Sequence, residues 1–330
     1  MFIKFYAHCI PVTGASQGCI YDLQRGSIYN VPNSILELLR EGQNQTLDNL
    51  IKENKDQIKI LNQFLDFLLE KEIIFYSKEK DSFPRLNIEY IMPFTLDTLY
   101  LEIDTHHDSK LKFLKNEVEY LGVLNIIFVL NSAISEYSII DKIFEIFRYS
   151  RIQYISFILP FNKILREKIK IIHKTEFKIF ETVFFNAKKN RVNKSRIYYY
   201  TQNLEGVFHR RIKNISDFHV NKEIYILGRQ YNPHYFRTAY IDNNGFLKNS
   251  KFTKDKFGNI FDTSLSKLIE NDSFKFLWNI TKDDISVCKK CQFRYICNDN
   301  RIPIKNDEGT ILHEETCAYD PFLNSWNKKS

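Results

Sequence analysis

The stretch Val287-Cys-Lys-Lys-Cys-Gln-Phe-Arg-Tyr-Ile-Cys-Asn-Asp-Asn-Arg301, with Glu315-Thr-Cys-Ala-Tyr-Asp-Pro-Phe322 after it, holds four of the 6 cysteines in this 330-residue chain. Cys288, Cys291 and Cys297 share one short loop, and the fold must bring Cys317 back to them. Three clustered thiols and a distant fourth form a ligand pattern for a single metal centre. The thiolate is the metal-binding form, and the neighbouring Lys289, Lys290 and Arg294 favour that anion. Two disulfides are the other use of four thiols. They suit a small secreted domain, and nothing in this chain has that character. Zinc sites generally use two close pairs, whereas here one Cys-x2-Cys is followed by a Cys-x5-Cys and a lone cysteine. An iron–sulfur cluster is the expected group, with zinc as the alternative.

This pattern resembles the SPASM domain, the C-terminal iron–sulfur module of radical SAM peptide-modifying enzymes. The segments Cys-Gln-Phe-Arg-Tyr-Ile-Cys-Asn-Asp-Asn-Arg and Cys-Ala-Tyr-Asp-Pro are similar to those of the SPASM peptide maturases of grasp-with-spasm systems. Such proteins are encoded beside an ATP-grasp ligase and a ribosomally made precursor peptide. The resemblance covers roughly residues 225–326 and, near the N-terminus, Cys9 to Arg25; it is weak in between. It implies one 4Fe-4S cluster on Cys288, Cys291, Cys297 and Cys317. A second auxiliary cluster lacks cysteine ligands, because no cysteine occurs between positions 20 and 287 and Arg301 stands where two-cluster relatives place another cysteine; only His234 or another non-cysteine group is left to supply one. Radical SAM chemistry also needs a Cys-x3-Cys-x2-Cys motif after the first barrel strand. That place reads Asp104-Thr-His-His-Asp-Ser-Lys110, so no S-adenosylmethionine is expected, and His106, His107 and Asp108 read as a solvated turn.

Composition is that of a folded protein, 44 % hydrophobic and 15 % aromatic. The net charge of +7 comes from 47 basic and 40 acidic residues that are mostly interleaved. No helix-turn-helix or basic stripe points to nucleic acid, no apolar run reaches the length of a membrane span, and the first residues lack the order of a signal peptide. Cytoplasm is the expected compartment. The basic segment from Lys188 to Lys213, including Arg210 and Arg211, reads as solvated loop surface or as a platform for an acidic partner.

The fold class expected is α+β and α/β in three parts. Residues 1–80 show strands at Phe2–Phe5, Cys19–Leu23 and Ser27–Val31, a capping box at Ser34-Ile-Leu-Glu37, a helix ending at Gly42, a second capped by Thr46, and a third with Ile58, Leu61, Leu65 and Leu68 on one face. Ile73–Tyr76 closes the series in a winged-helix-like order. The resemblance makes this a leader-peptide recognition domain, in which an extended peptide adds to a sheet edge. The expected contacts are Ile28, Tyr29 and Asn30 on the edge strand, with Phe64 and Phe67 on the third helix; core packing is the competing role for both Phe. Cys9 and Cys19 read as small buried hydrophobes, and His8 as pointing away from Cys9 by strand alternation.

Residues 81–222 alternate strands (Leu99–Ile103, Ile126–Leu130, Tyr154–Leu159, Phe180–Phe185) with helical periodicities. These are βα units of a parallel sheet, and the resemblance makes them a degenerate partial α/β barrel. Residues 223–330, with a hairpin around Asn244-Gly245, form the SPASM iron–sulfur domain. The function that follows is maturation of a ribosomally synthesised peptide: binding the precursor and presenting it to a partner ATP-grasp ligase, with no nucleic acid and no membrane involved. No catalytic residue is assigned. Catalysis through its own metal centre, or a metal-stapled scaffold, are the alternatives.

Overall fold

The computed structural model describes residues 1–81, 83–103, 108–130, 138–193, 195–209 and 211–327. The chain divides into two units: residues 1–90, 211–233 and 280–330 form one, and residues 91–210 and 234–279 the other. No helix among the described residues is long and apolar enough to cross a membrane.

The first unit opens with strands β1 (Phe2–Phe5), β2 (Cys9–Val12), β3 (Gly18–Asp22) and β4 (Ser27–Val31). Helices α1 (Asn33–Glu41), α2 (Leu47–Glu53) and α3 (Ile58–Glu70) follow, then β5 (Ile74–Ser77). β1 pairs with β5, while β2, β3 and β4 form an antiparallel sheet in that order. The helical spacing of Leu61, Leu65 and Leu68 does what it predicts: all three are buried, in one core with Ile20, Val31, Ile35, Leu36 and Leu39. The Thr46 side chain caps α2 by accepting from Asn49 N at 3.4 Å. The capping box expected at Ser34–Glu37 does not form, because the chain enters α1 through Pro32 and no side chain caps it. Asn33 Nδ2 donates instead to Gly14 O at 3.0 Å. β2 was not legible because Pro11 interrupts it; a proline is tolerated there because β2 is an edge strand.

Both faces of this small sheet are buried. Ile20 and Val31 face the helices, whereas Cys19 and Tyr21 pack with Phe218, Tyr225, Ile226, Phe293, Tyr295 and Ile296. That second face explains why the observed division differs from the expected boundaries at residues 80 and 222. A three-stranded sheet apolar on both sides needs cover on both, and segments 211–233 and 280–330 supply it. The helix Lys222–Gln230 lies so close to the cysteine loop that a Cβ on Gly228 would come within 2.4 Å of Tyr295 O and 3.0 Å of its carbonyl carbon. Gly228→Ala must move backbone, and we expect it to lower the denaturant midpoint by about 1–3 kcal/mol equivalent. A midpoint within error of the parent would refute this close approach.

The second unit carries β6 (Thr98–Ile103), α4 (Asp108–Leu121), β7 (Asn125–Leu130), α5 (Ser138–Phe147), β8 (Tyr154–Pro160), α6 (Lys163–Thr175), β9 (Ile179–Phe185), β10 (Arg191–Asn193) and β11 (Ile197–Tyr199). β12 (Thr238–Ile241) and β13 (Leu247–Lys248) complete its sheet. The sheet order is β10-β11-β9-β8-β7-β6-β12-β13. The six central strands run parallel, and the pairs β10–β11 and β12–β13 are antiparallel. This is a mixed α/β architecture with a mostly parallel sheet, as the alternation implied. The helix positions Leu111, Leu114, Val118, Ile140, Ile143, Phe147, Leu165 and Ile169 are all buried. The hairpin at Asn244-Gly245 is present, with Gly245 at φ +84° and Asp242 Oδ1 accepting from Asn244 N and Phe246 N. Its first strand pairs with β6, so residues 238–248 extend the large sheet and do not belong with the cysteine loop.

Candidate metal centre

Short turns place the first three thiols. Residues Cys288–Lys290 and Arg294–Ile296 form single 3-10 turns, and Cys291 N donates to Cys288 O at 2.9 Å. Cys317 is delivered by the chain entering the hairpin Tyr319–Asp320/Ser325–Trp326. The structure thereby brings together all four expected ligands: Cys288, Cys291, Cys297 and Cys317 line a single cavity of about 30 Å³. That is room for more than one water-sized atom. Phe218, Phe293, Tyr319 and Trp326 wall it, with ring centroids 4.8–5.0 Å apart for the pairs Phe218–Phe293, Phe293–Tyr319 and Tyr319–Trp326.

The electrostatics of the cavity suit anionic sulfur. Phe293 N lies 3.4 Å from Cys291 Sγ and Tyr319 N 3.5 Å from Cys317 Sγ, each as a donor. Lys282, Asp299 and Arg301 are almost wholly buried beside the thiols, with Lys282 Nζ and Arg301 Nε each bound to one oxygen of Asp299. Arg301 Nη2 also stands 4.0 Å from Cys288 Sγ. Burial alone would push the Asp299 carboxyl up, but the charges of Lys282 and Arg301 outweigh it and hold it far below its usual range. Burial, followed by the Lys282 charge, presses His313 down to about 3, so His313 is neutral. Two buried cations and one carboxylate leave a positive charge uncompensated, and a buried charge is costly unless paired. Thiolates are the available anions.

Three of the four thiols do not ionise unaided. Burial pushes Cys291 up to about 12 and Cys297 well above its ordinary value; it also raises Cys288 against the opposing pull of Lys282. A bound metal is what converts such buried thiols into thiolates. The donor set therefore fits a metal.

Residues invisible to motif reading brace this loop. Ala15 N donates to Lys290 O at 2.7 Å, and Arg294 Nη1 to Thr13 O at 2.7 Å. Cys19 Sγ donates to Gln292 O at 3.3 Å, and Tyr21 OH bonds the same carbonyl. Cys19 is thus a support under the cysteine loop. Arg211, expected in a basic platform, is tied to Asn300 Oδ1 at 2.6 Å and Glu315 Oε2 at 2.5 Å. Arg210, His106 and His107 lie outside the described residues.

The second set of expected site residues lies on β4 and α3. β4 is an edge strand of its sheet, Asn30 is exposed, and Tyr29 meets Phe67 edge-to-face at 6.0 Å. Phe67 remains 36 % exposed. Phe64 packs partly into the helical core, and Ile28 faces the opposite core with Phe218 and Phe293. Tyr29, Asn30 and Phe67 are the members accessible beside the strand edge.

No protein-family model matches the chain, and no curated protein matches it. Two crystal structures of SuiB from Streptococcus suis are similar to it. The one bound to S-adenosylmethionine has 12 % identity and a TM-score of 0.34, covering 90 % of this chain and 95 % of that one. The other has 11 % identity and a TM-score of 0.32, covering 89 % and 94 %.

Proposed function

We propose that this protein acts in ribosomal peptide maturation, binding a precursor peptide and presenting it to a partner ATP-grasp ligase. In this reading residues 1–80 are a winged-helix-like recognition element, the parallel sheet is a degenerate partial α/β barrel, and the cysteine loop is a SPASM-type module working in the cytoplasm. Cys288, Cys291, Cys297 and Cys317 would hold one 4Fe-4S cluster, which when bound supplies folding energy and an electron-transfer centre. No Cys-x3-Cys-x2-Cys motif exists in the chain, so bond formation is left to the ligase.

The observation that carries the reading is β4, an edge strand with the Tyr29–Phe67 aromatic pair beside it. An extended peptide adding there gains main-chain hydrogen bonds from the strand and side-chain pockets from α3. Alternate N–H groups of an antiparallel edge strand point outward, so proline at Tyr29 and at Asn30 samples both parities. The test uses the full chain, since the second sheet face needs its cover. The variant that loses an outward donor is expected to keep its circular dichroism and to bind the labelled peptide encoded beside the gene roughly tenfold more weakly or worse. If every folded variant binds like the parent, β4 is not the recognition edge. Turnover of that peptide without any ligase would instead make the protein itself the enzyme.

A further inference from the structure

His8, Cys9 and Asp22 form a second set of ligating side chains, separate from the four thiols. One ring nitrogen, one sulfur and one carboxylate oxygen all lie within 4.8 Å of one another, with His8 Nε2 3.8 Å from Asp22 Oδ1. Strand alternation would have turned His8 away from Cys9. It does not apply, because His8 lies in the turn that precedes β2. That turn is tied on both sides: Cys9 N donates to Tyr6 O at 2.9 Å, and Leu23 N to His8 O at 3.0 Å.

The surroundings are those of a built ligand set. Asp22 is fully buried; its Oδ1 accepts from Gln24 N at 3.0 Å and Arg25 N at 2.8 Å, and its Oδ2 from Arg25 Nη1 at 3.1 Å. Such outer partners orient a ligating carboxylate. His8 Nε2 is shut off from solvent without a hydrogen-bond partner, a costly state for a ring nitrogen unless something else pairs with it. His8 and Cys9 line a groove with Lys4, Tyr6, Phe75 and Phe83, which provides a way in.

We propose that His8, Cys9 and Asp22 bind one zinc-class divalent cation, in a three-ligand site whose fourth position opens to the groove. Mixed nitrogen, sulfur and oxygen donors select zinc and its neighbours over magnesium or calcium, which prefer oxygen alone. Zinc bonds of about 2.0–2.3 Å put ligand atoms roughly 3.3–3.8 Å apart, so the present spread requires only a small closure. On binding, the Cys9 thiol gives its proton to solvent, and the thiolate and carboxylate together neutralise the dication. Arg25 then meets a centre without net charge. Three protein ligands with an open position is the arrangement of zinc sites that take a further ligand or substrate atom.

The test adds zinc to the full-length protein with its C-terminal centre in place. One further zinc per chain is expected, with an X-ray absorption shell of one sulfur and nitrogen or oxygen neighbours. His8→Ala and Asp22→Asn should each weaken that zinc by roughly tenfold to a hundredfold, and the parent should gain thermal stability with zinc where His8→Ala does not. An all-sulfur shell would place the metal on the C-terminal thiols and overturn the proposal. So would parental affinity in folded His8→Ala, a change at a half-buried turn position that does not depend on the buried Cys9 tolerating substitution.

Discussion

Anaerobically purified protein is expected to carry about four irons and four sulfides per chain, and Cys297→Ala to lose them entirely. The effect should be large because metal binding at such a site is also folding energy; structural zinc contributes about 10–16 kcal/mol in small metal-folded domains. Without metal, the buried thiols of Cys288, Cys291 and Cys297 stay protonated beside a wall where Lys282 and Arg301 outnumber Asp299. The loop Cys288–Cys297 also anchors Thr13–Ala15 and Cys19–Tyr21. Its collapse should therefore spread into β3 and be visible as loss of the cooperative melt of the first unit, not merely of a C-terminal tail. Iron and sulfide analysis with thermal denaturation checks both parts. Stoichiometric zinc and no iron after anaerobic reconstitution would replace the cluster and leave the ligands standing; metal retained in Cys297→Ala would remove that residue from the set.

The second large effect is expected from Asp299→Ala. Asp299 sits between two buried cations, and removing one partner of a buried ionic cluster typically costs 3–5 kcal/mol because the remaining charge is left unpaired. Here two would be left. The surface pair Arg211–Glu315 offers the contrast: Glu315 is 53 % exposed, and Glu315→Ala should cost no more than about 1 kcal/mol. Denaturant midpoints, with metal content measured on the same samples, separate the cases. Equal losses for the two variants would mean that the Lys282–Asp299–Arg301 cluster is not the counter-charge of the centre.

Arg301 shows how a residue outside the cysteine pattern becomes part of the site. Its side chain binds Asp299 and reaches Cys288 Sγ. A cation thus lies beside the thiols. Electrostatic support for sulfur anions is thus carried by residues that no cysteine pattern marks.

What the sequence determined by itself was everything set by short-range regularity. Strands near 99–103, 126–130, 154–159 and 180–185, and the helices between them, follow from periodic burial, since a side chain's direction depends on its own backbone within a few residues. The Asn244-Gly245 turn follows from the left-handed backbone that glycine permits. The convergence of Cys288, Cys291 and Cys297 follows from their closeness in the chain, and that of Cys317 from the chemistry of thiols. Where the sequence failed, a distant contact had overridden a local preference. Ser34 and Glu37 make no capping box because Pro32 and Asn33 shape the helix entry against Gly14. His8 meets Cys9 because a turn, not a strand, holds it. Tertiary structure alone decided that Cys19, Tyr21 and Ala15 support a loop about 270 residues away, and that residues 238–248 join the large sheet. Contacts of such separation leave no spacing in the chain to read; they are chosen by which apolar faces remain uncovered once the local elements have formed.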